Sequence, residues 1–225
     1  MSWGACLFAA CASSGAVAQQ VVVESAEKAA ARSREASKLL EPPSEAKDDY
    51  GPKVEWRDVP PWRQTSFFGV RSQGSFFVFV VDCSGSMADA ERWLTVQDEI
   101  RRTLAKMQFP QRYYVVLYND QVLPMPGGLP VSAGRRSVGR TLDWVSRVVP
   151  EGPTDPRAAM AEALALRPHA VYLLSDGEFP DGAAEAIAKS NTGKTPVHAI
   201  DLSGGPGAES LRQIAKDSGG RYAQR

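Results

Sequence analysis

The sequence predicts an α/β fold in which helices cover both faces of an open, mostly parallel, Rossmann-like sheet. The first indication is the run at 76–81, whose residues are all apolar and which ends abruptly at polar residues. A run of this kind is typical of a strand that is buried on both faces. The second indication is that strand-like runs alternate with segments of helical periodicity from Ser75 onward. Such alternation favours parallel strands joined by helices.

The later elements are predicted from apolar spacing and from turn residues. Apolar side chains recur every three or four positions over 93–107 and again over 138–149, which predicts two amphipathic helices. A third helix is predicted to begin at Pro156 with Asp155 as its cap, because proline is tolerated in the first helical turn. The remaining strands are predicted at 112–118, 170–175, 196–202 and 222, and the remaining helices at 182–189 and 209–216.

Oxygen-bearing side chains stand where these predicted strands end or a helix begins. Asp82, Ser84 and Ser86 directly follow the first strand, and Asp176 follows the strand at 170–175. Thr154 lies in a tight loop just before the third helix. In open α/β sheets, ligands bind beyond the carboxyl ends of the strands. Oxygen donors without clustered histidine or thiolate suit a hard divalent cation such as Mg²⁺.

In this order, Asp82, Ser84, Ser86, Thr154 and Asp176 resemble the metal-ion-dependent adhesion site (MIDAS) of von Willebrand factor type A (VWA) domains. The resemblance covers roughly the last two thirds of the chain, a plausible size for one domain. It implies that the two serines bind Mg²⁺ (or Mn²⁺ or Ca²⁺) directly, and the threonine directly or through water. The two aspartates would act mostly through bound waters. An open metal position would take an Asp or Glu carboxylate from a partner protein.

The resemblance also implies local features around the site. An antiparallel edge strand is expected at 121–123, with Asn119 as a turn residue and not a ligand. The family usually has two glycines before the threonine, whereas Pro153 takes the second position here. Proline fixes its φ angle and has no N–H group. We therefore expect Pro153 to hold Thr154 in one position and to reduce switching of the loop.

The chain is expected to divide into a signal peptide at 1–18, a tether at 19–72 that is partly helical or disordered, and a VWA domain at 73–225. Residues 1–20 carry no charged side chain and contain Ala16-Val17-Ala18, which fits the rule for signal cleavage. The sequence thus favours export to a periplasm, a cell surface or the medium. A lipid anchor at Cys11 is the second choice, because phenylalanine replaces the leucine usual in that motif.

Composition excludes several classes of partner. Lys plus Arg and Asp plus Glu both number 26, and no basic cluster is interleaved with aromatic residues, so nucleic acid is not expected. No apolar run is long enough to cross a bilayer.

Signal cleavage would leave Cys83 as the single thiol of the chain. Cys83 is better interpreted as a packing residue than as a nucleophile, because neither His169 nor His198 stands near it in sequence.

The leading functional hypothesis is therefore a non-enzymatic module that binds a protein partner through a metal. A second hypothesis is a structural domain whose metal only stabilises the fold. A hydrolase or phosphotransferase that uses Asp82 is disfavoured, because such phosphotransferases usually carry a second acid two residues later and Ser84 stands there. The sequence leaves the partner and the oligomeric state open.

Overall fold

The computed structural model describes residues 48–49, 54–176, 179–205 and 207–225. Within them, one eight-stranded sheet dominates the fold. Its strands are β1 (Asp48–Asp49), β4 (Phe76–Asp82), β5 (Arg112–Tyr118), β6 (Val122–Pro124), β7 (Val131–Ser132), β8 (Ala170–Ser175), β9 (Val197–Asp201) and β10 (Arg221–Gln224), while the second and third strands in chain order form a separate hairpin. The strand order is β1-β10-β9-β8-β4-β5-β6, and β7 also pairs with β5. The pairs from β10 to β5 are all parallel.

A separate two-stranded hairpin and five α-helices complete the described part of the chain. The hairpin consists of β2 (Gln64–Phe67) and β3 (Val70–Gln73). The helices are α1 (Ala90–Lys106), α2 (Arg135–Val145), α3 (Arg157–Ala165), α4 (Ala183–Ser190) and α5 (Ala208–Ser218). Short 3₁₀ turns lie at Pro61–Arg63 and Gly85–Ala88. None of the described helices is both long enough and apolar enough to span a membrane.

Helices cover both faces of the sheet, as predicted. One face carries Phe79 and Tyr113 and is covered by α1, α2 and the hairpin, and the Tyr113 hydroxyl lies 3.0 Å from the Thr141 hydroxyl of α2. The opposite face carries Tyr114, whose hydroxyl donates to Glu162 of α3 at 2.6 Å. Helix α4 packs beside α3, and α5 packs beside α4. All seven residues of β4 are buried, because this strand lies in the middle of the sheet.

The hairpin forms part of the core. The Phe67 ring is fully buried and lies 5.1 Å from the Phe79 ring and 5.7 Å from the Tyr172 ring, in edge-to-face arrangements. Trp62, just before the hairpin, is 41% exposed. A fragment that begins at the expected domain boundary, residue 73, would lack Phe67. The boundary itself stays a prediction.

The predicted elements agree closely with the central strands of the sheet and less closely with its edge strands. The edge strand expected at 121–123 is β6, which is antiparallel to β5. Two further antiparallel strands, β7 and β1, were not predicted. The extension of the second helix to 149 is wrong: α2 ends at Val145, and Val149 is 75% exposed. Val149 precedes Pro150, and the residue before a proline is disfavoured in a helix.

The third helix begins at Arg157, one residue later than predicted, and the Asp155 carboxylate accepts the Arg157 N–H at 3.0 Å, as a capping residue does. The predictions for the signal peptide at 1–18, and for 19–47 of the tether, fall outside the described residues.

Candidate metal site

Asp82 ends the central strand β4 and is completely buried. One carboxylate oxygen accepts the Ser84 N–H at 2.8 Å, and the other accepts the Ser175 hydroxyl at 2.7 Å. Burial raises the pKa of the Asp82 carboxyl, and the negative charge of Asp176 raises it further, against the lowering effect of these hydrogen bonds. Because both oxygens already accept hydrogen bonds from the protein, Asp82 is well placed to orient the loop that follows it.

The two serines lie in the turn after β4, and their hydroxyls face each other. The Ser84 Oγ lies 3.0 Å from the Ser86 Oγ, and the Ser86 hydroxyl donates to Asp176 Oδ1 at 2.7 Å. Adjacent oxygens around octahedral Mg²⁺ are about 3 Å apart, since each lies about 2.1 Å from the ion. These oxygens therefore have a spacing that fits the coordination shell of a small hard cation.

Asp176 directly follows β8, the parallel neighbour of β4, and its side chain has no solvent exposure. Its second carboxylate oxygen is bound by the guanidinium of Arg92, which also donates to the Ser86 carbonyl at 2.8 Å. Arg92 lies in the first turn of α1. The site therefore already contains a cationic group, and that group belongs to the protein.

Backbone hydrogen bonds hold the loop that carries Thr154 against the serine turn. The Gly85 N–H donates to the Gly152 carbonyl at 2.8 Å, and the Glu151 N–H donates to the Cys83 carbonyl at 2.9 Å. The Thr154 side chain is half-buried, and its hydroxyl has no hydrogen-bond partner among the described residues. The structure thus brings the threonine loop to the site, whereas hydrogen bonds join the other four predicted residues directly to one another.

Three residues of this region were missed or undervalued in the sequence. Arg92 and Ser175 bind the two aspartates, as described above. Asn119 was interpreted only as a turn residue, and its Oδ1 does accept the Gln121 N–H at 2.8 Å. Its Nδ2 also donates to the Glu151 carbonyl at 2.9 Å, and its own carbonyl accepts the Asp155 N–H at 2.8 Å. Ser175 could have been recognised from the sequence only because it stands next to Asp176.

The donor set determines which chemistry this region suits. The described residues contain no group of three or more His, Cys, Asp or Glu side chains that could hold a metal, so any cation here depends on the hydroxyls. The Cys83 thiol is buried, and burial, with Asp82 and Glu151 nearby, raises its pKa to about 12. A thiol with this pKa is protonated at neutral pH, so Cys83 is a packing residue, as the sequence indicated.

Solved structures with a similar architecture include a von Willebrand factor type A protein from Catenulispora acidiphila, with a TM-score of 0.60 and 20% identity. The match covers 69% of this chain and 40% of that one. The chain has the fold of a VWA domain. No protein-family model matches the sequence, and no curated protein is significantly similar to it.

Two further structures with the VWA fold contain metals, by their own descriptions. Manganese-loaded TRAP protein from Plasmodium vivax has a TM-score of 0.53 and 20% identity, with 67% of each chain covered. Proximal thread matrix protein 1 from the mussel byssus, with a zinc-occupied MIDAS motif, has a TM-score of 0.52 and 17% identity. That match covers 66% of this chain and 41% of the mussel protein. At these identities the likeness shows the VWA fold and nothing finer.

Proposed function

We propose that this protein is a non-enzymatic module that binds a protein partner through a divalent cation. The cation would be held by Ser84, Ser86 and Thr154, with Asp82 and Asp176 supplying charge. The observation that carries the proposal is the contact between oxygens that directly follow β4 and β8 at the carboxyl edge of the sheet, where the Ser86 hydroxyl contacts both the Ser84 hydroxyl and Asp176.

The protein side of this mechanism follows from burial and hydrogen bonding. A bound divalent cation would supply an electron-poor centre with an open position for a carboxylate. Ser175 and the Ser84 N–H hold the Asp82 carboxylate in place. Asp176 holds the Ser86 hydroxyl in place. Mg²⁺ is the cation we favour, because it keeps several of its waters and accepts hydroxyl and carboxylate ligands, with Mn²⁺ and Ca²⁺ as substitutes. The manganese-loaded and zinc-occupied relatives in fold support a metal role.

The competing functions have less support. A nucleophilic role for Asp82 would require a free carboxylate oxygen, whereas both of its oxygens accept hydrogen bonds and the side chain is buried. Cys83 is held as a thiol by burial. A purely structural metal site remains the second candidate, and partner capture distinguishes it from a binding module.

We further propose that the module is exported, with residues 1–18 as its signal peptide and the segment from 19 to the start of β1 as its tether, because β1 pairs with the sheet and the hairpin packs into the core. The partner would present an Asp or Glu side chain, since a carboxylate completes the coordination of a hard cation. A cell-surface or periplasmic location would place such a partner within reach of the tether.

The test uses the full chain and the variant Asp82→Asn, which removes the charge yet keeps an oxygen for the Ser84 N–H. Titration calorimetry with Mg²⁺ should show one site in the wild type and a strongly reduced affinity in the variant. Asp120→Ala is the matched control, because Asp120 is an exposed acid that lies beside Gly152 in the neighbouring turn. Equal heats from the wild type and Asp82→Asn would refute the metal site.

Partner capture separates a binding module from a structural metal. Protein captured from the native cell surface in Mg²⁺ should be released by a chelator and should not bind the folded Asp82→Asn variant. If chelation lowers only the melting temperature and capture continues, the metal has a structural role. Substituting the partner's critical Asp or Glu by its amide should have the same effect as chelation.

A further inference from the structure

The guanidinium of Arg92 occupies a particular place in the candidate site. It reaches from the first turn of α1 to the buried Asp176 carboxylate, and it also donates to the Ser86 carbonyl at 2.8 Å. The Arg92 side chain is 34% exposed, whereas the Asp176 side chain has no exposure. The ion pair of Arg92 and Asp176 therefore links a partly exposed cationic side chain to a fully buried carboxylate.

Charge balance explains why a cation is needed there. Asp82 and Asp176 are both buried at one edge of the sheet, and an unpaired buried carboxylate is strongly destabilising. Asp82 is stabilised by hydrogen bonds from neutral groups. Among the residues that the structure describes, only Arg92 forms an ion pair with one of these two carboxylates, that of Asp176. Without a bound metal, the site thus depends on Arg92 for its positive charge.

We infer that Arg92 is a built-in counter-cation that stabilises the metal-free site and competes with a divalent cation for Asp176. This inference rests on the proposed metal site. A cation that binds near Asp176 meets a carboxylate whose charge is already neutralised, and it is also repelled by the guanidinium. Arg92 therefore sets the metal affinity: it weakens metal binding and lets the site stay formed when the metal leaves.

The size of the effect follows from the charges involved. A bound divalent cation is repelled by a guanidinium that lies beside the same carboxylate. A single charge within about 4–6 Å changes binding at a carboxylate by roughly tenfold or more. We therefore expect removal of the Arg92 charge to tighten Mg²⁺ binding by about tenfold or more.

The experiment compares the full-length wild type with Arg92→Gln, Arg92→Lys and a control, Arg101→Gln. Arg101 lies on the same helix and is paired with the exposed Asp98, away from the site. By titration calorimetry, R92Q should bind Mg²⁺ about tenfold more tightly or better, while R92K and the control stay close to the wild type. In chelator, R92Q should melt at a lower temperature than R92K, because its buried carboxylates have lost their counter-charge.

Each outcome has a defined meaning. Equal Mg²⁺ affinity in R92Q and the wild type would overturn the role of Arg92 and leave the metal site intact. Weaker binding in R92Q would make Arg92 a support for the metal ligands, which also overturns the inference. If no variant binds Mg²⁺, the metal site itself fails and the inference fails with it. If R92Q folds only when Mg²⁺ is present, thermal melts at a series of Mg²⁺ concentrations give its affinity for Mg²⁺. Arg92→Met, which keeps the apolar stem, serves as the second charge-free variant.

Discussion

The stability of this protein should fall in mild acid because of one buried histidine, His198. It is one of two histidines in the chain and lies in β9, where it is 6% exposed. Neither ring nitrogen has a hydrogen-bond partner among the described residues, and the ring packs against Tyr172 at 5.1 Å. Burial, with the positive charge of Arg221 nearby, lowers the pKa of His198 to about 3. The imidazole is therefore neutral in the folded protein.

The sign of the pH effect follows from the two protonation states. An unfolded histidine has a pKa of about 6.5, so between pH 6.5 and 3 the unfolded chain binds one more proton at this residue than the folded chain does. The free energy of unfolding then decreases by about 1.4 kcal/mol for each pH unit of acidification. From pH 6.5 to pH 5, His198 alone should cost the fold about 2 kcal/mol.

Urea unfolding between pH 7.5 and pH 5 measures this contribution, with a chelator present to keep the metal site constant. His198→Leu should lose the acid sensitivity that His198 causes, and the exposed His169→Gln serves as the control that retains it. Burial raises the pKa values of Glu99 and Asp82, and raised carboxyl pKa values favour the fold as the pH falls. These contributions are common to all variants and cancel in the difference. Parallel pH profiles for the wild type and His198→Leu would refute the reasoning.

Two further predictions concern the N-terminal part of the chain. Phe67→Ala should lower the free energy of unfolding by about 3–5 kcal/mol, whereas the exposed Trp62→Ala should change it by less than about 0.5 kcal/mol; similar chemical denaturation midpoints for the two variants would place the hairpin outside the cooperative unit. The mature chain should begin at about Gln19, because signal cleavage is expected after Ala18; an intact mass that includes residues 1–18, measured on protein from a native-like host, would contradict this.

The central strands could be predicted because a strand that is buried on both faces has a nearly continuous apolar sequence. Every residue of β4 and of β8 is buried, and the polar residues Asp82 and Ser175 come only at the last position of each strand, so they do not interrupt the apolar run. Strand β7 was not predictable in this way, because its two residues are too few to show a pattern. The end of α2 was missed because apolar spacing continues to Val149, although Pro150 disfavours a helical conformation at Val149.

The candidate site also has a part that could be predicted from the sequence and a part that could not. Asp82, Ser84 and Ser86 stand together in sequence, and their position after a strand was enough to place them. Arg92 is separated from Asp176 by 84 positions, and its role depends on where α1 lies relative to β8. Distances of this kind are set by packing, and a single sequence carries no direct signal of them. The predictable part of the candidate site is thus the position of its oxygen-bearing residues after the strands, and the unpredictable part is its charge balance.

The hydrogen bonds of Asn119 have a consequence for how this region moves. They tie the segment from Glu151 to Asp155 to the turn between β5 and β6, so the two loops form one mechanical unit. A displacement of Thr154 toward or away from the serine turn must carry the β5–β6 turn with it or break these bonds. Any rearrangement of the threonine loop would then be transmitted to the outer edge of the sheet, where a spectroscopic label on β6 would report it.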